Sequence, residues 1–330
     1  MPEGNEIHRW AERHAAALGG GVVRVDGPQG RFLDSGMLDG RRLRGVRAVG
    51  KHLGYDFGRD RVLHVHLGLQ GDFTEGSGAL PAVKGALRLR MWSAAKVRKH
   101  TAAPKGERED GAPGGGGARR GDGAPGLDGA PGLVQIQRHG WYSEDDGTSG
   151  LKAEDVAWVE LRGPMDCTVY TEAQWEKLRA RLGPDPLNGD GPERALERMA
   201  KSKKPVGLLL MEQEVVAGIG NIYRAELLFR AGVSPFVAGR DVAEKTLRGM
   251  WRDAVGLMRA GMVDRRIVTT RARDRVLKKR GLPLKEEVHY VYRRNGRECF
   301  VCGTKVMKME GFGGRNLFWC PGCQKDAGGA

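Results

Sequence analysis

Apolar residues recur at helical spacing near the start of the chain, at Ile7, Trp10, Ala11, Ala15 and Leu18, and Gly19-Gly20-Gly21 ends the run. A helix is therefore expected from about Asn5 to Leu18. Short segments with the alternation of half-buried strands follow: VVRV at 22–25, LRGVRAVG at 43–50, RVLHVHLG at 61–68, ALRLRMW at 86–92, VAWVEL at 156–161 and CTVYT at 167–171. Closely spaced strands with glycine-rich turns predict a β-sandwich or barrel. Beyond residue 171 the period changes. EAQWEKLRARL, PERALERMAK, VGLLLMEQEVV, IYRAELLFRAG and DVAEKTLRGMWRDAVGLMRAGM all carry helical spacing, so a mainly helical part is expected next.

Between about residues 95 and 149 the strand pattern breaks into a stretch rich in glycine and proline and poor in large apolar side chains. Such a composition buries too little apolar surface to offset the cost of ordering it, and a disordered insertion between two strands is expected. Its Gly-x-y triplets are too few for a collagen helix, which also needs three chains.

The fold class expected from this order is a multidomain α+β protein. A β-sandwich spans 1–171 with the insertion inside it, a helical domain spans 172–285, and a small cysteine-bearing module spans 286–330, too short for a core of its own.

The five cysteines sharpen that last module. Cys299, Cys302, Cys320 and Cys323 form C-x2-C-x17-C-x2-C, in which two tight turns present four thiolates to one tetrahedral zinc ion. Four thiolates leave no open coordination position, so the zinc is structural. KVMKMEGFGGRNLFW between the pairs reads as a β-hairpin whose turn, Gly311 to Gly314, delivers Arg315. Cys167 stands alone as a small buried hydrophobe.

Charge selects among partners. Lysine and arginine total 55 against 41 aspartate and glutamate, a formal charge of +14, which favours a polyanion. No apolar run reaches the roughly 18 residues that span a bilayer, and MPEGNEIHRW lacks the order of a signal peptide, so a cytosolic protein that is not membrane-bound is expected, nucleoid-associated if bacterial.

Chemistry gathers at two places. Pro2 follows Met1, and removal of the methionine exposes a secondary amine; with an α-amino pKa near 8, a fair fraction is unprotonated at neutral pH and competent to attack a sugar C1′. Glu3 beside it is a carboxyl that can pass protons to the deoxyribose ring oxygen. In AGIGNIYRAELLF, Gly218-Ile219-Gly220 turns the chain sharply into a helix starting at Asn221, where amides and a side-chain donor face an anion such as phosphate.

MPEGNE, VGKHL at 49–53, HLGLQG at 66–71, AGIGNIYRAELLF at 217–229 and the cysteine hairpin occur in one order over nearly the whole chain, which resembles the formamidopyrimidine-DNA glycosylase and endonuclease VIII family. The resemblance implies a β-sandwich, a helix-two-turns-helix element and a zinc finger around a DNA cleft. It implies Pro2 as nucleophile, Glu3 as general acid and base, and Lys51 as the strand lysine that contacts phosphate and assists β-elimination. Asn221 and Arg315 become phosphate grips, Arg315 also serving δ-elimination, and Leu69 fills the gap left by the flipped nucleotide. Glu6 falls at a supporting acidic position.

The function implied is a bifunctional glycosylase and abasic-site lyase working as a monomer on damaged double-stranded DNA. MPEG and GNIYRAE resemble the endonuclease VIII branch, which favours oxidised pyrimidines. HLGL resembles the formamidopyrimidine branch, so a purine-directed enzyme is the alternative. A non-catalytic zinc protein that reads damaged DNA by shape is the rival from another class, and Pro2, Glu3 and Lys51 together argue against it.

Overall fold

The computed structural model describes residues 2–101, 152–163, 166–275 and 283–325. Helix α1 (Gly4–Leu18) opens the chain and leads into β1 (Val22–Asp26), β2 (Arg41–Arg42), β3 (Gly45–Val49), β4 (His52–Asp56), β5 (Val62–His66), β6 (Asp72–Gly76) and β7 (Leu87–Ser93). Helix α2 (Ala94–Thr101) follows, and β8 (Trp158–Arg162) and β9 (Asp166–Tyr170) complete the sheets. All pairings are antiparallel: a five-stranded sheet in the order β2-β1-β7-β8-β6 and a four-stranded sheet in the order β3-β4-β5-β9. One core joins them, with Leu53, Tyr55, Leu63 and Val65 of one sheet against Val23, Val25, Phe73, Met91 and Leu161 of the other. Ile7, Trp10 and Leu18 of α1 belong to this core, which is why a helix so near the chain end is held in place.

Three strands did not show in the hydrophobic pattern, of which β2 is only two residues long. β4 is buried at its three central residues, so it carries no alternation. β6 places Thr74 and Glu75 inside, where Arg13 pairs with the Glu75 carboxylate, so polar letters occupy core positions. The start of the expected insertion is also corrected: α2 occupies its first residues, fastened by Lys96 Nζ donating to the carbonyls of Ala17 (2.6 Å), Glu154 (2.7 Å) and Val156 (3.1 Å). The rest of the insertion, and with it the expected disorder, lies almost entirely outside the described residues.

Helices α3 (Glu172–Arg181), α4 (Glu193–Ala200), α5 (Val206–Leu209), α6 (Asn221–Ala231) and α7 (Glu244–Val263) follow. Thr171 caps α3 with a reciprocal bond to Gln174, and Trp175 on α3 lies on the sandwich over Gly54. VGLLLMEQEVV is helical only through α5; its second half is a series of turns. Leu209, Leu210, Val216, Tyr223, Leu227, Met250 and Met258 form the helical core.

The cysteine module contains the hairpin β10 (Met307–Phe312) and β11 (Arg315–Trp319). It borrows its core from α6, whose Ile222, Ala225 and Phe229 pack on Tyr290, Val291, Tyr292, Val306 and Phe318. Helix α6 is thus covered on two faces, and every residue from Ile222 to Phe229 on it is buried, the charged Arg224 and Glu226 included. Glu226, fully buried on it, accepts from the amides of Tyr290 (2.8 Å), Val291 (2.9 Å) and Tyr292 (2.8 Å), and from the Thr269 hydroxyl. Among the described residues no helix is long and apolar enough to cross a membrane.

Candidate active site

Glu3 ends the extended segment before α1, and its backbone carbonyl accepts from the amides of Glu6 (3.0 Å) and Ile7 (3.3 Å) in the first turns of that helix. Its side chain turns the other way. The carboxylate is buried at the start of α6 and accepts from the amides of Gly220 (3.0 Å), Ile222 (2.6 Å) and Tyr223 (3.3 Å). Helix α6 has no side-chain cap of its own, so Glu3 supplies the anion that its exposed amides and dipole favour. The amides that the sequence offered to phosphate are therefore occupied by a carboxylate of the same chain. Burial raises the Glu3 pKa, against the opposing influence of Lys51 and these three amides.

Lys51 arrives from the four-stranded sheet. β3 and β4 pair Val49 with His52, leaving Gly50 and Lys51 as a two-residue hairpin loop. Gly50 has a φ of 56°, a left-handed conformation that glycine adopts without steric cost, and this puts Lys51 at the tip. The Lys51 ammonium is buried beside Glu3, and desolvation lowers its pKa to about 8; Glu3 opposes that shift and Arg315 adds to it. At the meeting point of the two side chains stands Gly220. A Cβ there would lie 2.7 Å from the Glu3 carboxyl carbon and 2.9 Å from Lys51 Nζ.

One buried carboxylate ties these elements together. Asp185, fully buried at the entry to the helical domain, accepts from the Gly50 amide (2.6 Å), the Leu187 amide (2.8 Å) and His8 Nε2 (2.8 Å) on α1. The helix carrying the N-terminal residues and the loop carrying Lys51 therefore share one anchor. A bond from the Gly4 amide to the Gly218 carbonyl (2.9 Å) closes the same junction. Pro2 lies buried directly ahead of it.

Glu3, Asn221, Arg315 and Leu69 line a common cleft of about 310 Å3, together with Tyr292, Arg293, Gly314, Asn316 and Phe318. Leu69 is half exposed on the turn between β5 and β6. Asn221 is placed differently from a free phosphate donor: its Nδ2 donates to the Asn316 carbonyl (2.9 Å), and its Oδ1 accepts from Arg224. Arg224 is a residue that sequence reasoning missed. Fully buried, it also donates to the carbonyls of Phe312 (3.1 Å) and Asn316 (3.2 Å), clamping the hairpin turn and Arg315 onto α6. Its pKa falls to about 10 through desolvation. The sequence signal was a basic residue on an otherwise apolar helix face, which periodicity assigns to solvent. Glu6, half-buried, has a raised pKa through desolvation and faces Arg9 at 3.8 Å.

The four cysteine sulfurs lie within 4.8 Å of one another, with Cys302 and Cys320 at 3.4 Å and Cys299 and Cys323 at 3.8 Å. These separations suit four thiolates around one metal ion, since metal–sulfur distances near 2.3 Å in a tetrahedron put sulfurs about 3.8 Å apart.

A sandwich and a helical domain meet over a buried carboxylate–lysine pair, beside an arginine carried on a hairpin flanked by four clustered cysteines. Residues 1–103 match the formamidopyrimidine-DNA glycosylase N-terminal domain, and residues 182–272 match the H2TH domain of the same glycosylase. Endonuclease 8 1 of Mycobacterium tuberculosis is 37% identical over 98% of this chain and 100% of its own length. Formamidopyrimidine-DNA glycosylase of Geobacillus kaustophilus is 33% identical over 58% of this chain and 68% of its own. The fold is also that of Lactococcus lactis Fpg bound to DNA containing Fapy-dG (TM-score 0.66, 18% identity, 98% of this chain and 100% of that one) and of Thermus thermophilus MutM (TM-score 0.63, 22% identity, 98% of each). The chain belongs to the formamidopyrimidine-DNA glycosylase and endonuclease VIII family, and is a bifunctional DNA glycosylase and abasic-site lyase.

Proposed function

We propose that this enzyme removes oxidised pyrimidines from damaged double-stranded DNA and cuts the strand by β,δ-elimination, with Pro2 as nucleophile. The observation that carries the reading is the buried junction of Glu3 and Lys51 directly behind Pro2. Once Met1 is removed, the Pro2 amine attacks C1′ and the base departs with a proton. Glu3 passes a proton to the ring oxygen as the sugar opens. The resulting iminium accepts electrons when a proton leaves C2′, so the 3′ phosphate departs; a second elimination releases the 5′ phosphate. Lys51 and Arg315 stabilise the leaving phosphates by charge. The full-length similarity to an endonuclease 8 supports the pyrimidine preference, and the Fpg structures with damaged DNA support DNA as partner.

The four cysteines would hold one structural zinc, which supplies no chemistry to the cut; a saturated set of thiolates leaves no place for water. Monomeric action is part of the same proposal.

Borohydride reduction on duplexes carrying an abasic site, an oxidised pyrimidine or 8-oxoguanine tests the reading. A stable adduct mapping to Pro2, formed fastest from the pyrimidine lesion, is expected. An adduct on Lys51 would move the nucleophile, and faster trapping on 8-oxoguanine would establish the purine alternative.

A further inference from the structure

We infer that Arg293 is a second phosphate-binding arginine of the DNA cleft, held ready by a strained backbone. The inference rests on the cleft being the DNA site. Arg293 has a φ of 57°, where a side chain is uncomfortable and glycine is the usual occupant. Its neighbours hold it there. On one side, Glu226 grips the amides of three successive residues ending at Tyr292. On the other, Arg294 is buried, donating to the carbonyls of Tyr290 (2.6 Å) and Glu298 (2.9 Å) with its guanidinium 3.5 Å over the Phe300 ring. Between two fixed residues the chain makes a left-handed step, and that step turns the exposed Arg293 side chain to the cleft it lines with Arg315.

Strain of this kind persists where the surroundings over-determine it, and it gathers at binding sites. A glycine would relieve it, so the arginine side chain is what the strain retains. Its guanidinium carbon stands 5.5 Å from the Tyr292 ring centroid, and Tyr292 meets Phe318 of the hairpin edge-on at 5.4 Å. Charge identifies the ligand. Arg293, Arg315 and Lys51 face or underlie this cleft, whereas Glu3 is its acidic lining residue and is already engaged by three amides and Lys51. The surplus positive charge suits a phosphodiester, which a guanidinium binds through two parallel hydrogen bonds.

The test uses the full-length enzyme, a duplex with an uncleavable tetrahydrofuran abasic site, and a salt series. Arg293→Gly should bind about tenfold more weakly at low salt. The slope of log affinity against log salt should flatten by about 0.9, one phosphate contact. Because glycine takes the backbone freely, its Tm should equal or exceed that of the wild type. Arg293→Lys should restore the slope while leaving part of the affinity lost. Wild-type affinity and slope in Arg293→Gly would overturn the assignment. So would a drop in Tm with binding that lysine does not recover, which would make Arg293 structural. Borohydride trapping of the wild type runs alongside; its failure would sink the proposed chemistry, whereas the salt slopes judge Arg293 separately.

Discussion

Glu3 and Gly220, 217 residues apart, meet with the carboxylate of one accepting the amide of the other at 3.0 Å, and the missing side chain of Gly220 is the space that Glu3 and Lys51 fill. A residue at the start of the chain thereby caps a helix two-thirds of the way along it.

Gly220→Ala is expected to break this arrangement. Its methyl would stand 2.7 Å from the Glu3 carboxyl carbon, far inside contact distance, with Lys51 Nζ on the other side. Displacing catalytic groups by about 1 Å lowers rates by about 100-fold, and overpacking costs about 1–3 kcal/mol. Lyase turnover on abasic DNA and a denaturant melt would check both; near-wild-type turnover would show that the carboxylate does not need this position.

Lys51 sets opposite pH trends for the free protein and the complex. Its folded pKa of about 8 lies below the ordinary 10.5, so between those values the unfolded chain binds more protons and free-enzyme stability should rise with pH. Phosphate binding instead favours the ammonium, so affinity for abasic duplex should be full below about 8 and decline above it. Lys51→Arg, always charged, should remove both trends. Melting and binding measured from pH 7 to 10 would reveal them, and a flat binding curve in the wild type would take Lys51 away from the phosphate.

Asp185→Ala should loosen α1 and the Lys51 loop together. It leaves the Gly50 and Leu187 amides and His8 Nε2 without their acceptor in a buried place. The loss of such a charged acceptor is expected to cost about 3 kcal/mol. Asp185→Asn keeps one acceptor oxygen and should recover part of it. Chemical denaturation of the pair gives the comparison, and an Asp185→Ala protein as stable as the wild type would remove this anchor from the account.

Metal loss and arginine loss should separate. Cys320→Ser takes one of four sulfurs from the cluster and should release the hairpin from α6, weakening DNA binding while the Pro2 amine stays chemically intact. Arg315→Ala should keep one zinc per chain, flatten the salt slope by about one phosphate contact, and leave more β- than δ-elimination product. Zinc content, salt-dependent binding and product ratio for both variants decide it; an Arg315→Ala enzyme that binds and cuts like the wild type would exclude that arginine.

Much of this protein was legible in the residues alone, because the signals are local. Ile7, Trp10 and Leu18 mark a helix by their spacing, and Cys299, Cys302, Cys320 and Cys323 mark by theirs a cluster that could hold a metal ion. Alternation found the strands that bury one face, and it missed β6, whose buried Glu75 is paired with Arg13 rather than apolar. A helix start at Asn221 was equally readable as an anion site. Its anion was not: the amides hold Glu3, and Asn221 itself holds the hairpin. The tertiary structure alone decided that Glu3, Lys51 and Gly220 share one buried point, that Asp185 ties α1 to the Lys51 loop, and that Arg224 clamps the hairpin. Each of these joins residues far apart in the chain. Their proximity follows from how the sandwich, helices and hairpin pack on one another, and a buried polar side chain with a distant partner looks, in sequence, like any solvated one.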